Sequence, residues 1–292
     1  MELQKDGIAI FEDYLSENDR SSINKELDKL FSPAHLSLNG YLGHVFGTTK
    51  LKSIALPTAS IKSLNLLEHA IDIANLIQAA DPIDEQRVLT ALEIWEEVNQ
   101  HIPLFWHTDN REGMIRAFIY IEGGKVDSGA FKYMKGTHKR RNEILGQKAE
   151  DSQDNSEFFH NKLTEKQVQS EADNIVVADN GPRSMAIAYT EGFHGNFPRI
   201  KRRRVIMFEF QPLSKFNYPR SEIYIPSSLL SRKVQQNLQL FANQAENSPQ
   251  YYGTDAYLSK PPSTSKKVIS SGVEYLFFTS KKLAGLLNLF KK

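Results

Sequence analysis

The chain of 292 residues contains no cysteine. That single absence excludes disulfides, thiolate metal sites, iron–sulfur clusters and cysteine nucleophiles together. Any metal would therefore be held by nitrogen and oxygen ligands. Charge of one sign is also lacking: 36 Lys and Arg stand against 35 Asp and Glu, a formal net charge of +1. The molecule as a whole has no attraction for nucleic acid or for an anionic membrane. No run of about 18 apolar residues exists to span a bilayer. The opening Met1-Glu2-Leu3-Gln4-Lys5-Asp6 lacks the basic-then-apolar layout of a signal peptide. The expectation is a soluble cytoplasmic protein, monomer or homodimer, acting on a small molecule. Internal repeats are absent as well.

What remains is ordinary globular composition, 40% hydrophobic and 24% charged, on a chain long enough to bury a large core. Gly7–Phe11 reads as a strand. A helix follows from a Ser16 N-cap, with Ile23, Leu27 and Leu30 on one face. A second helical stretch covers roughly Ile61–Ala80 and stops before Pro82. Arg87–Val98 fits a strand or a helix. Strands are then expected at Met114–Ile121, ending at the Gly123-Gly124 turn signal, and at Gly129–Met134, Ile175–Ala178, Ser184–Tyr189 and Val205–Phe210. Residues 143–173 are polar and acidic, either a lid or a surface insertion. Helical spacing returns in Leu229–Ala245 and in Val273–Phe290, where a Lys-flanked apolar stripe packs on its own domain or meets a membrane surface or a second copy. A β-rich middle between helical ends predicts a mixed α/β fold, a double-stranded β-helix (jelly roll, cupin-like) with flanking helices. Its core would cover residues 1–212, with 213–292 as a mostly helical extension.

The strongest chemical signal is Trp106-His107-Thr108-Asp109. Residues two apart on a strand project on one face, so His107 and Asp109 can grip one cation together. Of the eight histidines, His194 is best placed to be the third ligand, after the strand Ser184–Tyr189 and a short Gly-containing turn. Two histidines and one carboxylate with open positions suit a non-haem Fe(II) oxygenase. An isolated His-x-Asp is otherwise commonly a surface hydrogen bond.

Arg199-Ile200-Lys201-Arg202-Arg203-Arg204 opens the strand Val205–Phe210. Parity puts Arg204, Ile206, Phe208 and Phe210 on one face and Val205, Met207 and Glu209 on the other. With Glu209 outward, Arg204 points inward, where a dicarboxylate would match a guanidinium bidentately. The alternative for the basic run is a solvated phosphate or nucleic-acid patch, which the net charge of +1 disfavours. Parity also groups Met114, Arg116, Phe118 and Tyr120, so Arg116 would meet a substrate carboxylate or phosphate, or close an internal salt bridge. Asn110 and Arg111, beside the His-x-Asp motif, are further candidate substrate contacts.

Several pieces together resemble the phytanoyl-CoA dioxygenase family of Fe(II)/2-oxoglutarate oxygenases. They are Trp106-His107-Thr108-Asp109-Asn110, the run from Gly129 to Lys139 that contains Gly136-Thr137-His138, Gly192-Phe193-His194-Gly195, and an arginine opening a strand. The likeness covers about residues 5–212. It implies His107, Asp109 and His194 as iron ligands and Arg204, ten residues after His194, as the anchor for 2-oxoglutarate, with Arg202 as the fallback of equal parity. It implies Phe118 as an aromatic wall beside the cosubstrate and His138 as a structural histidine. The cofactors implied are Fe(II), 2-oxoglutarate and O2. The reaction would oxidise an unactivated C–H bond of a small, anionic metabolite, by hydroxylation, desaturation or cyclisation, releasing succinate and CO2. Asp109, present where some relatives carry a small residue and chlorinate, closes a halide position. Competing readings are a non-catalytic metal-binding jelly roll and a zinc hydrolase, for which no general base stands out.

Overall fold

A computed structural model describes residues 3–32, 42–45, 48–52, 62–84, 87–97, 105–109, 112–146, 163–215 and 239–240. The short helix α1 (Leu3–Asp6) leads into strand β1 (Ile8–Phe11) and then helix α2 (Glu17–Leu30). Ser16 starts α2 as the residue pattern requires: its extended backbone aims the hydroxyl at the Asp19 N–H, which donates to it at 3.1 Å. Glu17 and Asp19 add negative charge at the positive end of the helix. Helix α3 (Leu66–Ala80) follows Asn65 at φ 49, a left-handed conformation that asparagine tolerates. Both long helices bury one stripe, Ile23, Leu27 and Leu30 on α2 and Leu67, Ala70, Ile71 and Ile77 on α3.

The strands β2 (Leu42–Val45), β3 (Thr48–Lys52), β4 (Arg87–Glu97), β5 (Ile115–Glu122), β8 (Met185–Tyr189) and β10 (Arg203–Pro212) join β1 in one large sheet, in the order β1-β8-β5-β10-β4-β3-β2. The small sheet is β7 (Ile175–Ala178), β6 (Phe131–Met134) and β9 (His194–Asn196), with β6 central. Pairing along both paths is antiparallel. The segment whose period was undecided, 87–98, is β4, held between β10 and β3. A central strand buried on both faces has no reason to alternate, which is why its period was mute.

Each face of the large sheet has its own core. Leu92, Ile94, Ile206, Phe208 and Phe210 pack with α2 and α3. Ala91, Phe118, Tyr120, Val205 and Met207 meet Phe131 and Tyr133 of the small sheet. Two antiparallel sheets face to face, with helices outside the larger, make the mixed α/β jelly roll. The turn after β5 uses Gly123 and Gly124 at φ 79 and 78, a region closed to most side chains.

Within 143–173, residues 147–162 lie outside the described residues, and helix α4 (Thr137–Gly146) and helix α5 (Glu165–Ser170) bound them. Thr164 and Gln167 close a capping box on α5. Of the stretch expected to be helical at 229–245, only Gln239–Leu240 is described. It is a strand, β11, parallel to β4 at Val88 and Leu89. Pairing to β4 has overridden helical spacing at those two residues. Val273–Phe290 lies outside the described residues. No helix among the described residues is long and apolar enough to cross a membrane.

Candidate metal centre

The small sheet continues past β9 through one more antiparallel bridge, His107 opposite His194. The His107 N–H donates to the His194 carbonyl at 3.0 Å, and the return bond is 2.9 Å. The Asp109 N–H donates to the Thr190 carbonyl at 2.7 Å, which holds the Asp109 end of the segment. The two imidazole centroids are thereby 4.4 Å apart. One ligand atom from each of His107, Asp109 and His194 lies within 4.8 Å of the others.

Each imidazole is oriented by its own backbone. His107 Nδ1 is 2.8 Å from the Phe105 carbonyl, and His194 Nδ1 is 2.9 Å from the Gly192 carbonyl. A carbonyl only accepts, so Nδ1 carries a proton in both rings, which in the neutral form leaves the lone pair on Nε2. This is the arrangement by which outer hydrogen bonds prepare a histidine to bind a metal. Burial, then the neighbouring His107, push His194 down to about 3, against the opposing pull of Asp109. His194 is therefore a neutral donor at physiological pH.

Asp109 has a cationic neighbour. Arg116 Nη1 lies 2.8 Å from Asp109 Oδ2. The N–H is not aimed at that oxygen, so the contact is an ion pair without a directed hydrogen bond. The same guanidinium binds Glu209 Oε2 through Nε at 3.0 Å and Nη2 at 2.9 Å. Burial works against the Arg116 charge, but Asp109 and Glu209 outweigh it and raise its pKa above the ordinary value. Arg116 thus points toward the centre as parity required, but it is the internal salt bridge that the structure contains. Glu209, expected outward, is 0% exposed and bonded to Arg116 and the Thr90 hydroxyl.

That inversion carries Arg204 with it. Its guanidinium is on the helical side of the large sheet, with Glu96 at 2.6 Å, Asp28 at 2.6 Å and Asn24 Oδ1 at 2.9 Å. It lies over the Phe31 ring and does not face the metal side. Arg202 is half-exposed at the rim, paired with Glu122 at 2.8 Å. The arginine whose strand parity matches Val205 and Met207 is Arg203, 2% exposed. It binds Glu97, the Gly129 carbonyl at 2.6 Å and Asn196 Oδ1 at 3.0 Å. Asn196 shares a face of β9 with His194. Arg199 is 3.2 Å from the same Glu97. Burial, together with Arg203, pushes Arg199 down to about 10 despite Glu97.

An aromatic arc runs toward His194. Phe131 is 5.6 Å from the His194 ring and 5.1 Å from Phe118, and Phe118 is 6.3 Å from Trp95. Phe118 is therefore on the metal side; the sequence does not single out Phe131, Trp95 or Asn196 as site residues, shows Arg203 only as part of the basic run, and places Glu209 outward. The signal that points to Arg203 and Glu209 is their common parity with Met207, legible once the inner face of β10 is known. His138 is apart from the centre, stacked on Tyr189 at 5.2 Å with Nε2 3.2 Å from the Gln4 carbonyl. Asn110 and Arg111 lie outside the described residues.

The donor set fits a divalent metal: two imidazoles each held at Nδ1 by a backbone carbonyl, and one carboxylate, in a chain without cysteine to compete. No protein-family model and no curated protein matches the chain. Solved structures do match in fold. AviO1 from Streptomyces viridochromogenes Tue57 shares 16% identity at a TM-score of 0.51, covering 75% of this chain and 95% of its own. HygX from Streptomyces hygroscopicus, with nickel and 2-oxoglutarate bound, shares 14% at 0.53, covering 81% and 92%. The epimerase SnoN, in complex with Fe3+, alpha ketoglutarate and nogalamycin RO, shares 13% at 0.54, covering 72% and 81%. At such identities the likeness is one of fold.

Proposed function

We propose that this chain is an Fe(II)- and 2-oxoglutarate-dependent oxygenase, similar to the phytanoyl-CoA dioxygenase family, that oxidises an unactivated C–H bond of a small metabolite. The observation that carries this reading is the convergence of His107, Asp109 and His194 within 4.8 Å on a jelly-roll frame that SnoN and HygX use with metal and 2-oxoglutarate. His107 and His194 would hold iron through Nε2, and Asp109 through its carboxylate. With 2-oxoglutarate and O2, bound Fe(II) supplies C–H oxidation with release of succinate and CO2.

The remaining residues bind and orient. Arg203 takes over the role expected of Arg204. It and Arg199 share Glu97, two buried guanidiniums on one carboxylate, which leaves positive charge for the distal carboxylate of 2-oxoglutarate. Phe118 and Phe131 wall the path between that charge and His194 and exclude water from it. The expectation of an anionic substrate rested on Arg116, now engaged by two carboxylates. Asn110 and Arg111, next in sequence to the His-x-Asp motif, remain candidate substrate contacts. Hydroxylation, desaturation and cyclisation all fit the same residues.

The test is succinate release by the purified protein with Fe(II), 2-oxoglutarate, air and a panel of small metabolites, with His194→Ala as control. Succinate that disappears in the variant is expected. Metal binding without any 2-oxoglutarate turnover would return the chain to a non-catalytic binding module.

A further inference from the structure

Asp109 and Glu209 share one cation. Arg116 reaches Asp109 with Nη1 and Glu209 with Nε and Nη2, at 2.8, 3.0 and 2.9 Å. Glu209 sits opposite Arg116 in the β10–β5 register. It is 0% exposed, and the Thr90 hydroxyl donates to its other oxygen at 3.0 Å. A carboxylate so deep in a protein needs partners of this kind. Glu209 is not one of the three converging donors, and Arg116 links it to Asp109.

Resting on the reading of His107, Asp109 and His194 as a metal centre, we propose that Glu209 sets the metal affinity of that centre by compensating the charge of the Arg116 guanidinium beside Asp109. Arg116 and a divalent cation compete for one carboxylate. Asp109 and Arg116 alone sum to zero charge, so an incoming ion would meet a neutralised ligand beside a fixed positive group. Glu209 supplies the compensating charge on the far edge of the guanidinium. Asp109, Arg116 and Glu209 together are then net negative, and the ion is spared an uncompensated cationic neighbour. Arg116 and Glu209 are positioning residues: neither is a ligand. The two-edged grip is what a guanidinium allows and an ammonium does not.

Co(II), titrated into the metal-free full-length protein and read by its visible absorption, tests this by a double-mutant cycle. Glu209→Gln is expected to weaken Co(II) binding by about 10-fold or more, the usual scale for outer residues of a metal site. The double variant Arg116→Met/Glu209→Gln, which removes the competing cation too, is expected to recover most of that loss. A double variant as weak as Glu209→Gln would overturn the proposal, because Glu209 would then act by its own charge and not through Arg116. So would unchanged Co(II) affinity in a folded Glu209→Gln with a lowered melting temperature, which describes a merely structural role. Should Glu209→Gln not fold, Glu209→Asp keeps the charge on a shorter arm and is expected to bind Co(II) more weakly than the native protein; equal affinity would again overturn the idea. Loss of Co(II) binding in His194→Ala checks the underlying metal centre separately, and needs no turnover.

Discussion

Adjacent arginines on one strand have opposite fates, and their variants separate accordingly. Arg203 faces the small sheet and binds Glu97, Gly129 and Asn196, whereas Arg204 is clasped by Glu96 and Asp28 against α2. Arg203→Met is expected to raise the Kd for 2-oxoglutarate by about 10-fold or more, since a charge-assisted carboxylate contact is lost. Calorimetric titration of the metal-loaded protein checks it. Arg204→Met is expected to leave that Kd unchanged and to lower stability by about 1–3 kcal/mol in denaturant unfolding, discounted because Asp28 is largely exposed. The reverse pattern would restore the original assignment of Arg204. Residue types and spacing made His107, Asp109 and His194 legible in the chain. The direction of Arg204 was not legible, because both faces of β10 are buried and alternation cannot say which of two buried faces holds the site.

At the scale of the element, helix α2 is the outer buttress of the large sheet, and its start depends on one hydroxyl. Ser16 accepts from the Asp19 N–H, so Ser16→Ala leaves a donor of the first turn without that acceptor. The expected cost is about 1 kcal/mol, measurable as a lower urea midpoint with unchanged slope. Metal affinity should not change, because α2 packs on the face opposite the His107–His194 bridge. Caps and amphipathic stripes are local signals, and α2 was found from them. Strand β4 was not, since its burial comes from β10 and β3 on either side, partners that lie far away in the chain.

For the whole molecule, the relevant balance is between buried neutral groups and the proton. His69, hydrogen-bonded to Tyr14 at 3.1 Å, and His138, stacked on Tyr189, both have pKa values lowered, chiefly by burial. Their neutral forms belong to the folded state. The unfolded chain binds protons near the ordinary imidazole value of about 6.5, so this stability is complete above that pH and is lost as the pH falls below it. The Tm of the metal-free protein is expected to fall from pH 7 to pH 5, and the slope to flatten in His69→Gln and His138→Gln. A Tm independent of pH across that window would count against it. By itself, the sequence determined the ligand chemistry, the absence of thiolate alternatives, the Ser16 cap and the jelly-roll class, because each follows from residue type, period or local spacing. Only the tertiary structure decided which arginine faces the metal side and that Glu209 is linked to Asp109 through Arg116. Those depend on which face of β10 meets the small sheet, and that is set by the packing of helices and sheets against each other.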